Sequence, residues 1–500
     1  MNGRTEGLSI LAVAAAVVLS FVMIIAGAQG VRGSDQYNYL ADTETTLAQQ
    51  PPITNLLFPA KLIREGDKPS PAWFHHNGPP ILVAAWLGRW TGAYPAWILM
   101  NLLAHITVGA CVYALARKLA SRRIARWTTS LYLVSPSAIW LGINVLQEMF
   151  FAALLAVALT GFVYRSRPVL LALGNAALLA GVLCHPIFQA AVLVLSCIVL
   201  MESVVGKRYL LLLAAVANIA AALYLMTQAG NWFPSSFQPD IVAIVTSSIP
   251  GESNMFWHYS LEQRTISIQL LLDKLVASAQ RHFLNPFEAP FYVYTNIAAL
   301  CLMYLGIRHW RQTWQLLLPL SLFLGLYAGM IVLQQNQPRY QQIVAVASFA
   351  TIALAWVRSG VHIPDYVLAI VLTGNLVMGA YLSYFTAADA NKERASLDDF
   401  ITQLESAGLD EEARVAAFDL SPHSPLAVTI KPRQLLSIRT DMMSPENVAK
   451  ALDLYAPTHI LAKAVTSEEQ LAGMIDVDME SLVVLEKTFF GDLRLMKLPQ

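Results

Sequence analysis

Charge is scarce in this sequence: Asp, Glu, Lys and Arg make up only 13% of its 500 residues, roughly half the share usual in a soluble domain. The 33 basic and 33 acidic residues cancel, so the chain lacks the basic excess of a nucleic-acid-binding protein. Its four cysteines lie in apolar runs without metal-type spacing, which excludes a disulfide framework. A glycine-rich phosphate loop is also absent. These absences exclude a soluble enzyme, a disordered chain and a nucleic-acid binder.

Apolar residues dominate instead, at 56% of the sequence. A helix that crosses the hydrocarbon core of a bilayer needs roughly 20 apolar residues, and eleven runs are candidates for such a span. The candidate spans cover residues 8–28, 94–116, 127–144, 146–164, 169–184, 186–203, 209–228, 290–307, 314–333, 341–357 and 365–386. The sequence therefore predicts a polytopic α-helical membrane protein with about eleven transmembrane helices.

Basic residues predict the orientation of these spans, because cytoplasmic loops are enriched in Lys and Arg. With a cytoplasmic N-terminus, basic residues fall in alternate links, at Arg4, 117–126, 165–167, 207–208, 308–311 and Arg358. The membrane in question is the inner or plasma membrane. Its extracytoplasmic side then carries three segments: loop 29–93, loop 229–289 and the C-terminal segment. Most acidic residues of the first 389 also fall on that side. Since soluble nucleotides are not abundant there, any donor substrate would have to arrive in the membrane.

Charge returns at the C-terminus, where residues 390–500 hold 18 of the 33 acidic residues. This segment alternates strand-like pieces at 413–420, 458–465, 482–490 and 493–498 with helix-like pieces at 395–408 and 444–456. Alternation of this kind favours a small layered α/β structure. We therefore divide the chain into a transmembrane domain, 1–389, and an extracytoplasmic α/β domain, 390–500.

Polar residues stand out at several points on the outer side. Asp35 follows the first span closely, in a segment where a helix over 37–49 is expected to lie on the bilayer surface. His75 and His76 precede a Pro-Pro pair and a short apolar helix over 81–90.

Glu148 lies at a tight outer turn between two apolar helices. An ionisable group at such depth is expensive, and this makes it a functional candidate.

The order of five short motifs resembles the GT-C superfamily of membrane glycosyltransferases. The motifs are Gly33–Leu40 (GSDQYNYL), His76–Leu82 (HNGPPIL), Ser135-Pro136 followed by Gln147–Phe150 (QEMF), Cys184–Pro186 (CHP) and Gln337–Tyr340 (QPRY). The resemblance covers roughly residues 8–357. It implies a polyprenyl-phosphate-linked sugar donor, a hydroxyl acceptor on a glycan, lipid or protein, and direct displacement with inversion.

Within this resemblance, Asp35 is the candidate general base, because the acceptor hydroxyl must lose a proton as the new bond forms. The alternative for Asp35 is a helix cap or a solvated loop acid. Glu148 is the second candidate catalytic residue, with the acceptor, Asp35 through a metal, or Arg339 as its expected partner. Its alternative is an acid that favours the positive end of the fourth helix.

Arg339 is the one basic residue of its short outer link, and a guanidinium there can fork onto a lipid phosphate. That contact would stabilise the leaving polyprenyl phosphate, whose charge grows in the transition state. Tyr340 would add a hydrogen bond. The alternative is an arginine that extends to lipid headgroups.

Further substrate-binding candidates are His75, His76, His185 and Glu288. One of the two adjacent histidines could bind phosphate, contact the sugar or ligate a divalent ion. His185 precedes Pro186 and marks a helix break near the outer face. These residues do not define a metal site. The cofactor that we consider is a divalent cation, Mg²⁺ or Mn²⁺.

Three other readings stay open at this level. A transporter or lipid flippase would be expected to show inverted repeats, and none is visible. A polysaccharide polymerase or ligase with a diphosphate-linked donor would want more cations on the outer side. A structural relative without chemistry is the third reading. The partners expected under the leading interpretation are the lipid-linked donor, membrane lipids and the acceptor.

Overall fold

The structure is a computed structural model. It describes residues 2–32, 35–48, 56–65, 78–205, 209–232, 265–284, 290–309, 325, 338–407, 409, 413–420, 435–463, 482–488 and 491–498.

The chain forms two compact units. Unit 1 comprises Met1–Ala28, Trp97–Trp232 and Leu272–Ala387, and unit 2 comprises Gln29–Ala96, Phe233–Leu271 and Ala388–Gln500. The C-terminal segment thus shares a unit with residues of both long loops.

The described helices are numbered in chain order. They are α1 (Asn2–Gly27), α2 (Asp35–Leu47), α3 (Pro59–Glu65), α4 (Gly78–Thr91), α5 (Ala93–Leu119), α6 (Arg122–Leu133), α7 (Pro136–Ile143), α8 (Glu148–Val163), α9 (Pro168–Cys184), α10 (Pro186–Val205), α11 (Tyr209–Trp232), α12 (Ile268–Leu284), α13 (Pro290–His309), α14 (Ala345–Ser359), α15 (Asp365–Ser406) and α16 (Pro445–Tyr455). A 3-10 helix, Pro338–Val344, directly precedes α14.

Six helices of the described chain are long and apolar enough to cross a bilayer. Shorter apolar helices occur at Glu148–Val163, Pro168–Cys184 and Ala191–Val204. Helices therefore occupy ten of the eleven predicted spans, and the remaining one, 314–333, lies outside the described residues except for residue 325. The number of helices that cross the membrane stays a prediction.

The predicted span 127–144 is wrong as a single helix. Two short helices, α6 and α7, occupy it, and Val134 and Ser135 separate them. Ser135 is extended, with φ −65° and ψ 141°, and Pro136 opens α7. Proline lacks a backbone N–H and is tolerated in the first turn of a helix, so α6 must end before it.

Helices α8 and α9 approach each other closely at two glycines, Gly161 and Gly174. A Cβ atom added at Gly161 would lie 2.5 Å from the Leu170 carbonyl oxygen and 2.7 Å from the Gly174 Cα. Small residues allow such backbone contact between helices in a membrane.

We expect Gly161→Ala to lower the unfolding free energy by about 1–3 kcal/mol, because the added methyl meets backbone and the helices must separate. Gly306→Ala on α13 is the matched control, since a Cβ there meets nothing within 4 Å. Thermal unfolding in detergent measures both. Equal midpoints for the two variants would contradict close α8–α9 packing.

Helix α1 packs against α6 near its start and against α7 at its end, so it runs from one end of unit 1 to the other. Near its start, Ser9 accepts a hydrogen bond from Arg126 of α6 at 3.3 Å. At its end, a Cβ on Gly27 would lie 2.7 Å from the Ile143 Cδ1 of α7. Ser9 and Gly27 are about 27 Å apart along the helix, close to the thickness of a bilayer core.

Unit 2 contains a six-stranded sheet. Its strands are β1 (Leu56–Leu57), β2 (Val415–Phe418), β3 (Leu435–Ile438), β4 (His459–Lys463), β5 (Leu482–Thr488) and β6 (Gly491–Lys497), in the order β1-β3-β2-β4-β6-β5. The first four in this order are parallel, and β6 is antiparallel to both β4 and β5.

The sequence predicts β2, β4, β5 and β6 but neither β1 nor β3. β1 comes from loop 29–93, and Leu56 pairs with Leu435 of β3.

Helix α16 begins after Ser444, whose hydroxyl accepts a hydrogen bond from the Asn447 N–H at 3.3 Å. The apolar core beside the sheet includes Phe58, Phe400 and Phe418, all almost fully buried.

Candidate functional site

An ion pair between Glu148 and Arg339 is the central feature of the candidate site in unit 1. The Arg339 Nε lies 3.1 Å from the Glu148 Oε1, and the two side chains are only 15% and 6% exposed. Glu148 is the first residue of α8, where the helix dipole favours a negative charge. Of the three partners expected for Glu148, the structure brings Arg339 to it.

Tyr340 contacts the same guanidinium. The Arg339 Nη2 donates a hydrogen bond to the Tyr340 hydroxyl at 3.2 Å, and the guanidinium carbon lies 5.1 Å from the ring centroid. Tyr340 is also buried. Tyr340 thus helps to hold the guanidinium of Arg339 in place.

A network of neutral polar side chains connects the 3-10 helix to other helices of unit 1. Gln342 donates from Nε2 to the Tyr132 hydroxyl at 2.8 Å and accepts from the Ser137 hydroxyl at 3.3 Å. Tyr132 stacks on His105 with ring centroids 5.5 Å apart. All four side chains are buried, and buried polar networks of this kind fix one arrangement of the surrounding helices.

Asn101 positions the turn that precedes Glu148. Its side-chain amide donates to the backbone carbonyls of Asn144, at 2.7 Å, and Leu141, at 3.3 Å. Asn101 is fully buried on α5. Its position as a polar residue inside an apolar span is the signal that could have identified it.

His185 lies between α9 and α10 with an extended backbone, φ −158° and ψ 140°. Its ring centroid is 5.2 Å from that of Phe151, which lies one helical turn after Glu148 on α8. The structure therefore brings His185 to the same end of α8 as the ion pair.

Asp35 belongs to unit 2, where it is the first residue of α2 and is buried. Two contacts hold this helix against the later part of α15. The Tyr37 hydroxyl donates to Glu393 at 2.8 Å, and Arg32 pairs with Asp389 at 3.3 Å. Burial, followed by the hydrogen bond to Glu393, raises the pKa of the Tyr37 hydroxyl.

Lys274 on α12 is a residue that sequence reasoning missed. Its side chain is buried, with 3% exposed, and its amine has no hydrogen-bond partner within the described part of the chain. Burial lowers the pKa of this amine to about 8. A buried ammonium of this kind is a candidate anion site. The amphipathic pattern of the α12 sequence does not show that this particular side chain is buried.

His75, His76 and Glu288 lie outside the described residues. Among the residues that are described, no group of three or more His, Cys, Asp and Glu side chains is placed to hold a metal ion.

Comparison with known proteins identifies the fold. No family model and no curated protein matches the sequence. Solved structures that match include ArnT from Cupriavidus metallidurans bound to undecaprenyl phosphate, with TM-score 0.59, 14% identity and coverage of 99% of both chains. The apo state of the same protein matches with TM-score 0.54, 14% identity and full coverage of both chains.

The described helices and the small sheet are consistent with the GT-C-like membrane fold expected from the sequence. At 14% sequence identity, the similarity to ArnT shows a shared fold alone.

Proposed function

We propose that this protein is a membrane glycosyltransferase. It moves a sugar from a polyprenyl-phosphate donor to a hydroxyl acceptor on a glycan, lipid or protein, at the outer face of the inner or plasma membrane and with inversion. Two observations support the proposal: the order of the GT-C motifs in the sequence, and the fold shared with ArnT, whose crystal structure contains undecaprenyl phosphate.

The observation that carries the proposal is the buried pair of Glu148 and Arg339. A guanidinium has five N–H donors, so Arg339 can hold Glu148 and a phosphate oxygen together. Glu148 compensates the buried cation when no donor is bound. When the sugar leaves the phosphate, the charge on the phosphate rises, and a donor group already fixed by Glu148 and Tyr340 stabilises that charge without reorganising.

Asp35 is proposed as the general base. Its carboxylate accepts the proton of the acceptor hydroxyl as that oxygen attacks the anomeric carbon, and the bond from this carbon to the phosphate oxygen breaks on the opposite face. The start of α2 favours the ionised form of an acid, which is the form a base requires.

The test is transfer of a radiolabelled sugar from polyprenyl-phosphate donors in membranes that contain the protein. We expect label to move from the lipid fraction to an acceptor fraction. Label that crosses the membrane while still attached to lipid would indicate a flippase instead. Chain growth from a diphosphate-linked donor would indicate a polymerase. A repeat with EDTA tests the requirement for Mg²⁺ or Mn²⁺.

A topology reporter tests the proposed location of the reaction. We expect a reporter fused after Gln500 to behave as extracytoplasmic, because the basic residues place the N-terminus and alternate links inside. A fusion after Arg358 is the control and should behave as cytoplasmic. A cytoplasmic reporter at Gln500 would overturn the outer-face assignment.

The lowered pKa of the Lys274 amine leads us to test whether donor binding depends on pH. An anion held by Lys274 requires its ammonium form, which is lost as pH rises through about 8, so any donor binding that uses this amine should weaken across that range. Lys274→Arg keeps its charge and should shift the loss to higher pH. Lys118→Arg, at an exposed position, is the control. Identical pH profiles for the wild type and Lys274→Arg would exclude Lys274 from the donor site.

A further inference from the structure

An apolar groove runs along the outside of three helices of unit 1, away from the candidate site. One face of α1 between Ile10 and Phe21 lines it, together with α5 between His105 and Tyr113 and α6 between Arg126 and Leu133. Its volume is about 540 Å³, within the range of ligand pockets. The length of α1 along it is about 16 Å, roughly the depth of one bilayer leaflet.

One end of the groove is polar and basic. Arg126 lines this end and its side chain is only 16% exposed. Its Nη1 contacts Glu6 at 3.5 Å and Ser9 at 3.3 Å, and no other partner of this guanidinium occurs in the described chain. Tyr113, on the adjacent part of α5, is partly exposed.

Further cations lie within one to two helical turns of the lining residues Tyr113 and Arg126. Arg117 and Lys118 lie in the last turn of α5, and Arg122 begins α6. Arg123 is already paired with Asp365 at 2.7 Å. Glu6 is the acid that faces Arg126, so positive charge is in excess and an anionic headgroup complements it.

The groove end at Arg126 and the ion pair of the candidate site lie at opposite ends of unit 1. Arg126 contacts Ser9 near the start of α1, whereas Ile143, five residues before Glu148, packs on Gly27 at its end. These positions are about 27 Å apart along α1. A lipid phosphate at Arg126 therefore sits in the other leaflet from a phosphate at Arg339.

We propose that this groove binds an anionic phospholipid of the leaflet that faces the basic links. One acyl chain fills the space between α1, α5 and α6. The phosphate accepts hydrogen bonds from Arg126 and the Tyr113 hydroxyl. His105, fully buried and stacked on Tyr132, closes the deep end. The site is separate from the proposed reaction and does not depend on it.

Native mass spectrometry of the purified protein tests the proposal, with phosphatidylglycerol and phosphatidylcholine of identical chains as probes. We expect phosphatidylglycerol to be retained roughly fivefold better, the factor typical of one basic residue near a lipid headgroup. Arg126→Gln should remove this preference, whereas Arg308→Gln, at an exposed position of α13 away from the groove, should keep it.

A second pair of variants tests the acyl-chain site independently of charge. Ala110→Phe fills the groove and should abolish retention of phosphatidylglycerol, whereas the matched Ala217→Phe, at an exposed position of α11 away from the groove, should not. Phosphatidylglycerol should also raise the unfolding temperature of the wild type but not of Ala110→Phe. Unchanged retention in Ala110→Phe would overturn the proposal. So would displacement of the phospholipid by undecaprenyl phosphate in a manner that requires Arg126.

Discussion

Asp35→Asn should insert and fold normally yet lower sugar transfer by roughly 100-fold or more, the scale typical for loss of a general base. The amide has the shape of the carboxylate but cannot accept the acceptor proton. Two contacts that hold α2, Tyr37 with Glu393 and Arg32 with Asp389, are made by other side chains and remain in the variant. The measurement is kcat for transfer from a radiolabelled lipid donor, beside donor binding and thermal unfolding.

Asp42→Asn is the matched control for this experiment, because Asp42 lies on the same helix and is also buried. We expect near-normal transfer from it. If both variants lose transfer to the same degree, the effect comes from α2 as a structural element. If Asp35→Asn retains transfer, Asp35 has no part in the proton transfer.

The long apolar helices were predictable because hydropathy is a local property of the sequence. The partnership of Glu148 and Arg339 was also accessible, since each is an isolated charge next to an apolar run and few partners are available at that depth. The break inside 127–144 could not be placed by hydropathy, because apolar residues lie on both sides of Ser135-Pro136 and this pair is compatible with a turn or a kink.

What the sequence could not reveal depends on long-range contacts. β1 has two residues and pairs with a strand that follows it by almost 380 positions, so no local pattern identifies it. Gln342, Tyr132 and Asn101 are single neutral polar residues within apolar runs, and only the folded chain shows which carbonyl or hydroxyl each one meets. Their importance comes from burial, which a single sequence does not report.

The second large effect is expected at Arg339, where the structural and catalytic contributions must be separated. Arg339→Ala removes the proposed phosphate contact, and the barrier to transfer should rise by on the order of 2–4 kcal/mol. It also leaves Glu148 buried without its cation, which typically destabilises a protein by about 3–5 kcal/mol. Arg339→Lys keeps the charge but loses the fork, and it should weaken donor use less than Ala does.

A double variant separates these two effects. Glu148→Gln combined with Arg339→Gln replaces the ion pair by two amides that can hydrogen-bond to each other. The unfolding midpoint should return close to that of the wild type, because no uncompensated charge remains. Transfer should stay low, because the cation that stabilises the leaving phosphate is still absent, while acceptor affinity should change little. Recovery of both stability and transfer would make the pair purely structural. Intact donor turnover in Arg339→Ala, together with its loss in Lys274→Ala, would move the phosphate site to α12.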